Sequence, residues 1–219
     1  MEPRRDRPPA ATAEQAMETL SRRECPQLAE ALIAVAAAWR PISRRDVDAR
    51  LDALARPLFA IEPTAQARAD ALAELIALGF EPDARALEGL WLDEVLETRR
   101  GHPALIAAVA AELGQRAGWD FAICSTPTAW YTGLLDDGRL WLIDPTGAAH
   151  GVGAPALVRR HCAHELAYVV LTGLAERLPS SQDTARARGL RDRLALFAAP
   201  ERPGPALLEA LWSESGQPR

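Results

Sequence analysis

A nearly uninterrupted apolar helix constrains this chain more than any other feature. From Ala104 to Leu113 every position is Ala, Leu, Ile or Val, except Glu112. A helix that is apolar almost all round has to be buried. Pro103 suits its first position, where a missing N–H costs nothing, and Gly118 ends it. The rest of the chain must therefore wrap around this element. Three strand patterns follow at once, Trp119–Cys124, Trp130–Leu135 and Arg139–Ile143. The Asp136-Asp137-Gly138 turn between the last two is a hairpin signal. One buried helix followed by an antiparallel meander predicts an α+β protein.

The flanking segments read as helices. One pattern runs from Glu14 to Trp39, with Pro26 breaking it or starting its second half. Pro41 ends it. Ser43 is placed to cap a helix reaching Leu58, and Thr64 to cap another reaching Leu78, with Gly79 as its stop. Leu72, Leu75, Ile76 and Leu78 form the expected inner face of that helix. A fourth helix is expected over Ala84–Arg99, burying Leu87, Leu90, Trp91 and Val95 on one face. The segment PTGAAHGVGAP after Asp144 reads as a loop. Helices are expected over Pro155–Leu178, Asp183–Phe197 and Pro205–Trp212.

The segment TAWYTGLLDDGRLWLIDPTG resembles the strand, hairpin and Asp–Pro–Thr end of the transglutaminase-like core. Together with LWLDEVLETRRG and the apolar helix, it is similar to the SirB family within that superfamily. The resemblance spans about Asp46 to Val152. It implies a Cys at the start of the central helix, a His opening the next strand and an Asp ending the hairpin. The Cys position falls on Pro103 or within one residue of it, the His position on Thr128, and Asp144 matches. A nucleophilic thiolate needs sulfur, and its base needs a titratable nitrogen. Pro103 and Thr128 supply neither, so these three positions read as vestigial and no catalytic residue is expected.

Composition narrows the alternatives. The 219 residues suffice for one sizeable core with a helical extension. Net charge is −5, which disfavours nucleic acid as a partner. No apolar run has bilayer length, so no membrane partner is expected. The stretch MEPRRDRPPAATAEQ lacks the apolar core of a secretory signal. Three Cys suggest reduced thiols and a cytoplasmic setting. The chain contains neither Lys nor Asn. That excludes a Schiff-base or phosphate-loop Lys and a Cys–His–Asn triad.

A few other side chains have chemistry to offer. His161, His164 and Glu165, in HCAHE, stand at helical spacings and are weak metal candidates, without HExxH or paired CxxC. A polar face packed on a loop accounts for them better, and no metal or cofactor is expected. Cys124 lies near the old cleft and is the one candidate for a displaced nucleophile. His102 adjoins the central helix N-terminus, where free N–H groups favour an anion such as a peptide carboxylate. Strand alternation puts Trp130 and Tyr131 on opposite faces, so one of them lines the cleft with His102 and Cys124. Arg99 and Arg100 read as the solvated end of a helix.

The expected organisation is a disordered tail over 1–13, a SirB-type domain over 14–152 and a helical extension over 153–219. The resemblance implies degenerate tetratricopeptide-like helices in that extension. The expected function is a non-catalytic binding or regulatory module for a protein or peptide. The alternatives are a cysteine-type acyl transferase or peptidase using Cys124, and a structural subunit of a larger assembly.

Overall fold

In a computed structural model, residues 10–23, 26–136, 138–152, 158–177 and 184–197 are described. The first two helices, α1 (Ala10–Ser21) and α2 (Leu28–Ala37), are separated by the break at Pro26. Thus α1 begins inside the stretch expected to be disordered; residues 1–9 lie outside the described ones. Next come α3 (Arg44–Ala55), a 3-10 turn over Arg56–Ala60 and α4 (Ala65–Gly79). Both predicted caps form. The Ser43 hydroxyl accepts from Asp46 N–H at 3.3 Å, and the Thr64 hydroxyl from Ala67 N–H at 3.2 Å.

The inner stripe of α4 is Ala65, Ala69, Leu72, Ala73 and Ile76. Leu78, expected inward, is 82% exposed. Two residues past Ile76 it has turned about 200° around the helix, away from that stripe.

The expected helix over Ala84–Arg99 does not run through. A 3-10 turn occupies Glu88–Leu90, Trp91 is extended, and α5 covers only Leu92–Thr98. The break coincides with a close backbone approach from outside the segment. A Cβ on Gly89 would stand 3.1 Å from Gly101 Cα, so this backbone lies against the short bridge β1 (Glu81–Pro82) with β2 (Arg100–Gly101). Trp91 is still buried, but from the position preceding α5 rather than from a helical face. Arg99 closes α5 in the left-handed conformation, φ 62°. Its guanidinium lies 5.0 Å from the Phe80 ring centroid, so only Arg100 of the pair is the expected solvated end.

The central helix, α6 (Pro103–Arg116), is buried from Ala104 to Gly114. The sheet beside it has five antiparallel strands in the order β6-β5-β4-β3-β7. They are β3 (Phe121–Ser125), β4 (Trp130–Asp136), β5 (Arg139–Ile143), β6 (Ala149–Val152) and β7 (Arg159–His161). Strands β6 and β7 replace parts of an expected loop and an expected helix. The helix α7 accordingly starts at Ala163 and runs to Arg177, and α8 covers Thr184–Phe197. The expected helix over 205–212 lies outside the described residues. This is the α+β architecture that the order of elements implied.

The two faces of the sheet do different work. The Thr132 hydroxyl donates to the Ala107 carbonyl of α6 at 2.8 Å, which identifies the inner face. Phe121, Ile123, Trp130, Leu134, Trp141 and Ile143 join the main core there. On the outer face, Cys124, Leu140, Leu142 and Val158 form a smaller cluster with Tyr131, Leu135 and Val152.

A charged cluster ties α6 to its neighbours. Buried Glu112 accepts from Ala29 N–H at 3.3 Å, in the first turn of α2, where Gln27 provides no side-chain cap. Arg116 Nε lies 3.1 Å from Glu112, Nη2 2.7 Å from Asp48, and Nη1 against Asp52.

Candidate functional site

The three positions expected to be vestigial are spread over separate elements. Pro103 opens α6. Thr128 lies exposed in the turn between β3 and β4. Asp144 follows β5 and is engaged in a turn. Its Oδ1 accepts from Thr146 N–H at 2.8 Å, Thr146 O–H at 2.6 Å and Ala148 N–H at 3.1 Å. Gly147 completes the turn with φ +86°, and a Cβ there would stand 2.5 Å from the Ala73 carbonyl of α4. The Asp144 carboxylate thus ties together the turn whose Gly147 lies against α4.

Burial opposes the Asp144 charge, but these hydrogen bonds outweigh it and hold the carboxyl below its ordinary range. A depressed folded-state pKa adds stability above the unfolded value, lost as pH falls through the folded one. Asp144→Ala is expected to cost about 1–3 kcal/mol at neutral pH. The gap between wild type and variant should narrow below about pH 4, read by denaturant unfolding at several pH values. A gap independent of pH would remove the carboxylate from the argument.

Cys124 is completely buried on the outer face, away from α6. Its sulfur fits over Gly133, where a Cβ would come within 2.7 Å of it. Burial pushes the thiol up to about 12. Tyr131 pairs with Cys124 and shares that outer face. Of the expected cleft set His102, Cys124, Trp130 and Tyr131, only His102 and Trp130 are therefore on the α6 side. Pleating separates the others, since alternate residues of a strand point opposite ways.

His102 is the N-cap of α6. Its Nδ1 accepts from Ala104 N–H at 3.2 Å. An accepting Nδ1 leaves the proton of the neutral ring on Nε2, which is then a donor. Burial first, and then the charge of Arg177, depress the imidazole below its usual range, favouring this neutral form. His102 lines a cavity of about 220 Å³ with Tyr168, Val169, Thr172, Gly173, Glu176 and Arg177 of α7. The buried Thr172 hydroxyl has no hydrogen-bond partner among the described residues. Tyr168 is 40% exposed at its edge. No sequence pattern marks this cavity, because its two walls are some 65 residues apart.

The HCAHE residues do not share a helical face. His161 ends β7 and meets Ser125, with Oγ 2.6 Å from Nε2. Its Nδ1 is 3.4 Å from Glu165 Oε2. His164, in the first turn of α7, instead points to α1, with Nε2 2.8 Å from the Leu20 carbonyl. Among the described residues no group of three His, Cys, Asp or Glu is placed to hold a metal ion. Ser125 carries no signal in the sequence, since only the pairing of β3 with β7 brings it to His161.

The family model described as the transglutaminase-like superfamily matches residues 43–165. That is more than half of the chain, from the cap of α3 to the first turn of α7, and the chain belongs to this superfamily. No curated protein matches the sequence. Among solved structures, the chain is similar to menin, in a crystal structure described as revealing its binding site for Mixed Lineage Leukemia (MLL) protein. The TM-score is 0.63 at 13% identity, over 95% of this chain and 58% of the menin chain. This likeness is one of fold and extends to the helices outside 43–165. Among the described residues, no helix is long and apolar enough to cross a membrane.

Proposed function

We propose that this chain is a transglutaminase-like pseudoenzyme, of SirB type, that binds a protein or peptide without the cysteine chemistry of its superfamily. One observation carries this reading. Where the nucleophile and base positions fall, the chain has Pro103 and Thr128, while a cavity lined by His102 and residues of α7 lies beside the N-terminus of α6. Among its lining residues, His102, Tyr168, Thr172 and Arg177 carry N–H or O–H donors of the kind that suit an acceptor such as a peptide carbonyl or carboxylate. Menin, which shares the fold, has a binding site for a protein, and this makes protein recognition a natural use of the scaffold.

The test is a displayed library of random peptides panned on the full chain. Selected peptides should bind Tyr168→Ala about tenfold more weakly, the loss of one good contact. Equal affinity for Tyr168→Ala and Arg177→Ala would take the ligand away from this cavity.

The alternative with Cys124 as nucleophile has a direct test. A thiol moved from 9.0 to about 12 has roughly a thousandfold less thiolate near neutral pH. Alkylation of Cys124 by iodoacetamide is expected to be at least about 100-fold slower folded than unfolded. Rapid labelling of Cys124 in the folded chain would restore the displaced-nucleophile reading.

A further inference from the structure

Ser125 and His161 lie near each other because of strand register. Ile123 pairs with His161, and Ser125 with Arg159. Paired residues and residues two apart share a face, so all four side chains project on the α6 side. The serine oxygen is 2.6 Å from Nε2. The His161 side chain is only 9% exposed, and the Trp130 ring lies 4.9 Å from the imidazole.

The other ring nitrogen decides what this pair can do. Nδ1 is buried and makes no aligned hydrogen bond, and the Glu165 carboxylate is 3.4 Å away. That carboxylate is itself held in place. Cys162 N–H donates to its Oε2 at 3.0 Å, and Arg159 contacts Oε1. Burial opposes its charge, but His161 and Cys162 N–H keep its carboxyl below the ordinary range. A hydroxyl tied down for packing needs one acceptor. Here the acceptor is an imidazole whose far nitrogen faces a fixed anion, which favours Nδ1–H and leaves Nε2 free to take a proton. This is the order of groups by which a serine hydroxyl is activated.

We propose that Ser125, His161 and Glu165 form a relay that makes Ser125 an acylable nucleophile toward small carboxylic esters. Ser125 Oγ bonds to the ester carbonyl carbon while its proton passes to His161 Nε2. The carbon–oxygen bond to the leaving alcohol then breaks, and the alcohol departs with that proton. Water, giving a proton to Nε2, attacks the acyl-serine; the carboxylic acid leaves and Ser125 regains its hydrogen. Ser125 and His161 are the catalytic residues, and Glu165 is a positioning residue acting through His161. This goes beyond the binding reading, which concerns the cavity further along α7: it replaces the pseudoenzyme part of that reading with serine chemistry, and binding at the cavity can fail independently of it.

The experiment uses the full chain and a biotinylated fluorophosphonate, with the labelled site mapped by peptide mass, and p-nitrophenyl acetate as the ester. Labelling is expected at Ser125 and release of nitrophenol should disappear in Ser125→Ala. Glu165→Gln should slow labelling by at least about tenfold at an unchanged melting temperature, and Glu165→Asp should recover part of the rate. An unlabelled Ser125 in the folded wild type would overturn the proposal. So would a labelling rate the same in wild type and Glu165→Gln. If Ser125→Ala fails to fold, the mapped site and the Glu165 pair decide alone.

Discussion

Phe121→Ala is expected to lower the stability of the chain by about 4 kcal/mol, the range for emptying a fully buried phenyl site. Phe121 is 0% exposed, at the start of β3 under the C-terminal turn of α6. Its ring is matched to a residue without a side chain, since a Cβ on Gly114 would stand 2.5 Å from Phe121 Cδ2. Close-packed interiors relax only partly, so the loss includes a cavity as well as lost transfer. The denaturant midpoint should fall with little change in slope. The pair also predicts its own coupling. Gly114→Ala should destabilise the wild type through the clash, and do so much less in Phe121→Ala, where space has opened. Additive effects would mean that the ring does not occupy this position.

The second large effect concerns charge. Arg116→Met is expected to cost about 3 kcal/mol, as typical for removing one partner of a buried ion pair. The guanidinium serves Glu112, Asp48 and Asp52 together, and its side chain is 20% exposed. Without it, Glu112 is left buried beside two more carboxylates. Adding Glu112→Gln should return a substantial part of the loss, because the amide oxygen still accepts from Ala29 N–H without a charge. Should the double variant be less stable than Arg116→Met, the carboxylate itself would be the stabilising group at the start of α2. Urea unfolding of the four proteins completes the cycle.

Much of this molecule was determined by local sequence. The nearly all-apolar run from Ala104 to Leu113 could only be a central helix, and the Asp-Asp-Gly turn could only join neighbouring strands. Ser43 and Thr64 cap helices by contacts within three residues, and such short-range chemistry survives any tertiary arrangement. The proposed loss of the cysteine centre rests on equally local facts, since Pro103 and Thr128 lack the necessary atoms wherever they lie. Tertiary structure decided the rest. Gly89 meeting Gly101 broke the expected helix before Trp91, a close approach that no periodicity encodes. The pleat sent Cys124 to the outer face and away from any cleft, because register settles which parity of a strand is inside. Residues 153–161 carried no strand pattern strong enough to suggest β7. Yet β7 is the element that places His161 beside Ser125, 36 positions earlier in the chain. Hydrogen bonding across strands depends on partners far away in sequence, and for that reason the relay and the cavity under α7 became visible only in the folded chain.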